Sequence, residues 1–246
     1  MQSVSDQVIW SEEYQVRERP IIFNGEMVRA ILDGRKTQTR RPINVQPSSQ
    51  LSTSDIRVGF YNPTIVDKNG DEVPGAEVFG VADTIEGFWG VKFPYGKPGD
   101  RLWVRETVYI EECVCQGAPV ELRSPCRYCS GVGSQFFYRA DTVEKLGINP
   151  AWTPSIHMPR FASRITLEIT GVRVERVKDI TEDDAKLEGV QRYSEDGGSG
   201  WGQYDSVAPS SYTFRWGFKK IWNDIYSERD SWGLNPLVWV IDFKRI

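Results

Sequence analysis

Apolar positions recur at two different spacings along the chain, and the switches between them mark out its elements. Met27, Val28, Ile31 and Leu32 share one helical face. Asn24 stands where a side-chain oxygen can cap an orphan N–H, and Gly34 supplies the left-handed residue that closes a helix. From Arg35 to Arg41 the pattern turns extended, and Pro42, which cannot donate a ladder bond, ends it. Strand alternation returns over 101–110, with Leu102 and Val104 on one face, and in a short return strand at 136–139. It is clearest over 164–177, where Ile165, Leu167 and Ile169 alternate with polar residues and Gly171 permits a bend. A second helix starts at Thr181, which has capping-box spacing to Asp184, with Ile180 and Ala185 at staple positions and Gly189 at the end. A third spans about 212–226 on Phe214, Phe218, Ile221, Trp222 and Ile225. The last strand covers 237–246, with Trp239, Ile241 and Phe243 on one side. Helix, several strands, two helices and a strand make an α+β order, not an alternating βαβ one.

The polar stretches set the organisation. Residues 1–19 read as an arm with Trp10 as its bulky anchor, and 20–246 as one domain with insertions at about 44–93, 111–135 and 191–211. Within the first insertion only short strands are expected, with a strand or hairpin at 79–90. The Gly-rich loop at 193–210 lacks the lysine of a phosphate-binding loop. A net charge of −4 argues against general polyanion binding, so any nucleic-acid contact must use a local patch, the densest being Arg35, Lys36, Arg40 and Arg41. No stretch of about 18 apolar residues predicts a membrane helix, and no leader pattern is seen, so the expected location is the cytoplasm of a host cell.

In such a reducing compartment Cys113, Cys115, Cys126 and Cys129 are better metal ligands than disulfide partners. Their C-x-C and C-x2-C pairs, among Gly117, Pro119, Pro125 and Gly131, predict a structural Zn2+ knuckle with no open coordination site; the alternative is four free thiols in a hairpin.

Four ordered segments carry a family resemblance: ILDGRKTQTR, GDRLWV, ITLEITGVRV with ITEDDAKLEGV, and VWVIDF. They resemble the ASCH domain of the PUA-like superfamily, and in pattern they are similar to small bacterial N4-acetylcytidine amidohydrolases. The RPIIF, GRKTQTRR and PSIHMPR blocks also look like larger ASCH proteins of phages and prophages. The resemblance covers about half the chain. It implies a small PUA-like β-barrel with flanking helices, here interrupted by the cysteine-bearing insertion, and a cleft for a modified nucleoside, RNA or DNA.

It also implies a catalytic set at Lys36, Thr39 and Glu188. A threonine hydroxyl needs a base to become a nucleophile, a lysine becomes that base only when burial or nearby charge lowers its pKa, and a glutamate can pass the proton to the leaving amine. Glu188 closes its helix against the macrodipole, which a solvated surface carboxylate does equally well. Lys36 and Thr39 fall on opposite sides of a regular strand, so they converge only if the chain turns after Gly34. Arg35, Arg40 and Arg41 are the expected phosphate contacts. The lone histidine, His157, and Arg160 are ligand candidates because their proline-flanked segment precedes the long strand. Trp216, Trp222 and Trp239 are expected in the core; for the other tryptophans, packing and base stacking both stay open. Three readings follow: an amide hydrolase acting on N4-acylated cytidine or a similar nucleoside, a non-catalytic RNA or modified-DNA binding module, and a ribonuclease.

Overall fold

Asn24 caps the first helix as its position predicts: its side-chain oxygen accepts the Met27 N–H at 2.8 Å, opening α1 (Gly25–Leu32). This computed structural model describes residues 15–47, 52–83, 89–111, 135–141, 151–191, 213–226 and 230–246. Asn24→Ala is expected to lower stability by about 1 kcal/mol, read as a shift of the urea midpoint at unchanged slope.

Helix α1 lies between β1 (Glu18–Ile22) and β2 (Gln38–Pro42). An outlying group follows: β3 (Ile56–Tyr61), the hairpin β4 (Thr64–Val66) and β5 (Glu72–Pro74), then β6 (Val78–Asp83) and β7 (Gly90–Lys92). The chain then returns through β8 (Arg101–Arg105), the pair β9 (Val108–Glu111) and β10 (Gln135–Tyr138), β11 (Thr166–Arg176), α2 (Glu182–Leu187), α3 (Phe214–Ile225) and β12 (Leu237–Arg245). The class is α+β, with many strands and few helices.

The main sheet runs β1-β8-β11-β12-β2. Its β1–β8 ladder is parallel and the others are antiparallel. Among the described residues no ladder joins β1 to β2, so the sheet is open. A three-stranded sheet, β3-β6-β7, packs beside it. Alternation along β12 buries both faces: Trp239, Ile241 and Phe243 join α1, Phe23, Phe93 and Val81 in one core, while Val238 and Val240 join Ala185, Phe218, Ile221 and Trp222 beneath α2 and α3. A register shift between Ile169 and Gly171 bends β11 where Gly171 predicts.

Several expectations change. Glu18 and Arg19, expected within the arm, pair with β8. The single strand expected at 101–110 is two, broken at Glu106, whose buried carboxylate turns aside to Arg164 at 2.9 and 3.0 Å. Trp216 is 38% exposed on α3, while Trp222 and Trp239 are core as expected. No helix among the described residues is long and apolar enough to cross a membrane.

Candidate active site at the exits of two helices

Two helices end in the same way here, each on a left-handed glycine. Gly34 has φ +75° after α1 and Gly189 has φ +90° after α2. Beyond Gly34 the chain doubles back, so that the N–H groups of Arg35 and Lys36 both donate to the Ala30 carbonyl, at 2.9 and 3.0 Å. Lys36 then forms an isolated antiparallel bridge with Glu188, the C-cap of α2, and the Thr37 N–H donates to the Leu187 carbonyl at 2.9 Å. The turn after Gly34 thus brings Lys36 to Glu188 and stitches the two helix ends together, without bringing the Thr39 hydroxyl to Lys36.

The side chains follow the backbone. Lys36 and Glu188 are 1% and 2% exposed, and Lys36 Nζ lies 2.6 Å from Glu188 Oε2. The same ammonium donates to the carbonyls of Gln38 and Glu188, at 2.8 and 2.9 Å. Three acceptors match its three hydrogens, so the protonated form is the one this geometry satisfies. Burial nevertheless pulls the Lys36 pKa below the ordinary lysine value, against the opposing pull of Glu188.

Alternation along β2 sorts its residues onto two faces. Gln38 and Arg40 pair in register with Asp242 and Val240, on the α2–α3 face; Thr39 and Arg41 pair with Ile241 and Trp239, on the α1 face. Arg40, 2% exposed, donates to the Gln38 side-chain carbonyl and meets Glu188 at 3.3 Å, Glu175 at 3.0 Å and Asp184 at 3.4 Å. Arg173 closes the network onto Glu175, Asp184 and Asp242, at 2.6, 3.1 and 2.8 Å. With Lys36, three cations thus meet four carboxylates. Burial alone would raise the Asp184 pKa, but the Thr181 hydroxyl and the Arg40 charge hold it below its usual value.

Thr39 is treated differently. Its hydroxyl is buried against the apolar α1 face and has no hydrogen-bond partner. Lys36 binds the Gln38 carbonyl, in the peptide group that leads into Thr39, but not the hydroxyl itself. The structure therefore unites Lys36 with Glu188 and leaves Thr39 adjacent and unbonded.

A cleft of about 470 Å³ opens between β1, the start of α1 and the end of α3, lined in part by Arg41, Arg105, Tyr95, Tyr226, Met27 and Ile22. Burial works against the Arg41 charge, yet Tyr226, Tyr95 and Glu188 more than offset it and raise its pKa. Burial likewise raises the Tyr226 phenol, which Arg41 draws back down. Arg105 presents a buried Nε–H with no partner. Lys36, Thr39 and Glu188 do not line this cleft. Phe23 stands between, its ring centroid 5.2 Å from the Arg41 guanidinium carbon and 5.7 Å from Lys36 Nζ.

The predicted cation patch does not exist as one surface. Arg40 is walled in by carboxylates and does not reach a phosphate in solvent, because its strand face points at α2. Arg35 binds Asp33 at 2.8 Å and the Gly189 carbonyl at 3.2 Å, at the rim of the two helix ends. Only Arg41 enters the cleft. His157 is exposed on a short 3-10 turn, and Arg160 pairs with Glu18 at 2.9 Å over Trp103. Neither lines the cleft; Met158, between them, is the residue that packs inward. Cys113, Cys115, Cys126 and Cys129, the expected zinc ligands, lie outside the described residues. Sequence reasoning missed Arg105, Tyr95 and Tyr226, which come from three distant segments with no shared pattern.

Compared with models of protein families, with curated proteins and with solved structures, the chain shows no match.

Proposed function

We propose that the chain is a nucleoside-recognising domain of the ASCH type, on a PUA-like scaffold of which the open five-stranded sheet is the main wall, and that its cleft takes a nucleoside or nucleotide, free or within RNA or DNA. The observation that carries this is a cleft of about 470 Å³ that sets Arg41 and Arg105 beside two phenols, Tyr95 and Tyr226. Aromatic walls and one or two placed charges suit a flat, polar base, and the volume falls in the range of small-molecule sites, about 300–1,000 Å³.

A second reading, amide hydrolysis of an N4-acylated cytidine, is favoured by the buried Lys36–Glu188 pair and the idle Thr39 hydroxyl. In that cycle Lys36 first gives a proton to Glu188. The neutral amine then takes the Thr39 proton as Oγ adds to the acyl carbon, Glu188 protonates the departing N4 amine, and water returns the acyl-threonine to the free hydroxyl. Phe23 must shift for a substrate to reach these groups. The arrangement at rest suits the binding reading better, since the lysine is saturated and the hydroxyl faces the core.

Calorimetric titration with cytidine and N4-acetylcytidine, together with chromatographic assay of released cytidine, separates the two. Arg41→Ala and Arg105→Ala are each expected to weaken binding about tenfold, in line with the loss of one hydrogen bond to a charged group; wild-type affinity in both variants would remove the cleft from the proposal. If the protein also turns over, Lys36→Met and Thr39→Val are expected to slow release by at least about 100-fold. Thr39→Val doubles as a stability test. Removing a buried, unbonded hydroxyl is expected to leave the fold as stable or more so, and a loss above about 1 kcal/mol would show that the hydroxyl has a partner after all.

A further inference from the structure

A second cleft, of about 560 Å³, lies on the other side of the turn that carries Tyr95. Among the described residues four cations line it, Arg17, Arg19, Lys92 and Lys97, together with the carboxylates of Glu77 and Asp100. The carboxylates do not cancel the cations evenly. Asp100 is 2% exposed and its oxygens brace the floor of the cleft, accepting the backbone N–H groups of Arg17 at 2.9 Å and Lys97 at 3.0 Å. Arg19 donates to the Pro94 carbonyl at 3.2 Å, while its Nε–H is buried and unpartnered. Against a net charge of −4 for the whole chain, the described lining makes this a local positive trough.

Its wall is aromatic. Phe60 is 51% exposed, an unusual setting for a phenylalanine on a strand, and the Lys97 ammonium sits 5.3 Å from its ring centroid. Behind it, Phe79 meets Phe60 edge-on at 5.3 Å and passes the contact on to the buried Phe93 at 6.1 Å, so the ring is held on a rigid stack rather than on a loose side chain. Separated cations along a trough track phosphates, and a fixed exposed ring offers a face to any base. A small anion would need only one or two of these groups, and a folded acidic protein would find no use for a half-buried guanidinium at the floor.

We propose that this trough binds single-stranded nucleic acid, with Arg17, Arg19, Lys92 and Lys97 along the phosphates and Phe60 against a base. The assignment does not depend on hydrolysis, or on what the first cleft holds.

The test is fluorescence anisotropy with end-labelled oligo(U) and oligo(dT) of about 12 nucleotides, with inorganic polyphosphate of similar length as competitor. Arg17→Ser/Lys92→Ser is expected to weaken oligonucleotide binding about tenfold at low salt, and to flatten the log K against log salt slope by about 0.7 for each phosphate no longer neutralised. Phe60→Ala is expected to weaken binding about tenfold with the slope unchanged, as loss of a stacked base requires. Lys68→Ser/Lys219→Ser removes the same charge from exposed sites elsewhere and should change little. The proposal is overturned if neither oligonucleotide binds at low salt, if the control pair weakens binding as much as the trough pair, or if polyphosphate competes as well as oligonucleotide and Phe60→Ala has no effect. Arg41→Ala in the same assay keeps the two clefts apart: trough binding that survives it stands on its own, and nucleoside binding that survives the trough variants does likewise.

Discussion

Glu188→Ala is expected to cost about 3–5 kcal/mol of folding stability, because it strands a lysine that has no route to water. Lys36 is buried and its ammonium loses its shortest hydrogen bond, the 2.6 Å one to Glu188 Oε2. Arg40 also loses a carboxylate, but keeps Glu175 and Asp184. The cost therefore falls mainly on Lys36, and Lys36→Met/Glu188→Gln should regain more than half of it, since glutamine still offers Arg40 an oxygen and methionine has no charge to solvate. Urea midpoints of the single and double variants check this; a double variant no more stable than Glu188→Ala would place the strain elsewhere. The pH dependence has a definite sign. The Lys36 pKa is lowered on folding, so between its folded value and 10.5 the unfolded chain binds more protons, and stability gains as pH rises through that window. The margin of the wild type over Lys36→Met is expected to widen toward alkaline pH.

What the sequence disclosed was what neighbours in the chain decide. The Asn24 cap, the Thr181–Asp184 capping box, both terminating glycines and the alternation of β12 all depend on residues within a few positions of one another, and all are present. The failures share a different cause. Strand β1 is short, carries Pro20, and exists only because Arg19 and Ile21 meet Leu102 and Val104 across a parallel ladder more than 80 residues away. The cationic run looked like one patch because Arg35, Lys36, Arg40 and Arg41 are adjacent in sequence. Alternation splits Arg40 from Arg41, and the carboxylates that enclose Arg40 arrive from β11 and α2. Of the candidate site, the Lys36–Glu188 contact was legible through the family-like motif, whereas the cleft beside it, assembled from β1, β8, the 94–96 turn and α3, was not.

Gly189→Ala is expected to destabilise the fold by about 3 kcal/mol and to disturb the site at the same time, through backbone strain and crowding together. Gly189 holds φ +90°, where any L side chain is strained by about 1–2 kcal/mol. A Cβ there would also stand 2.9 Å from the Ala30 Cβ and 3.1 Å from the Lys36 Cβ. Neither neighbour is the end of a flexible side chain: Ala30 is 0% exposed within α1, and Lys36 is fixed by its bridge to Glu188. Overpacking of this kind adds about 1–3 kcal/mol. Gly34 supplies the comparison. It has φ +75°, but a methyl group added there would meet nothing within 4 Å, so Gly34→Ala should carry the conformational cost alone. Denaturation midpoints of the two variants separate backbone strain from crowding. If Gly189→Ala proves no worse than Gly34→Ala, the two helix exits are not packed against each other as tightly as the Lys36–Glu188 bond requires. If it is worse, the same push on the Lys36 Cβ should lengthen that bond and raise the exposure of the ammonium, which amide and side-chain NMR of Lys36 can follow.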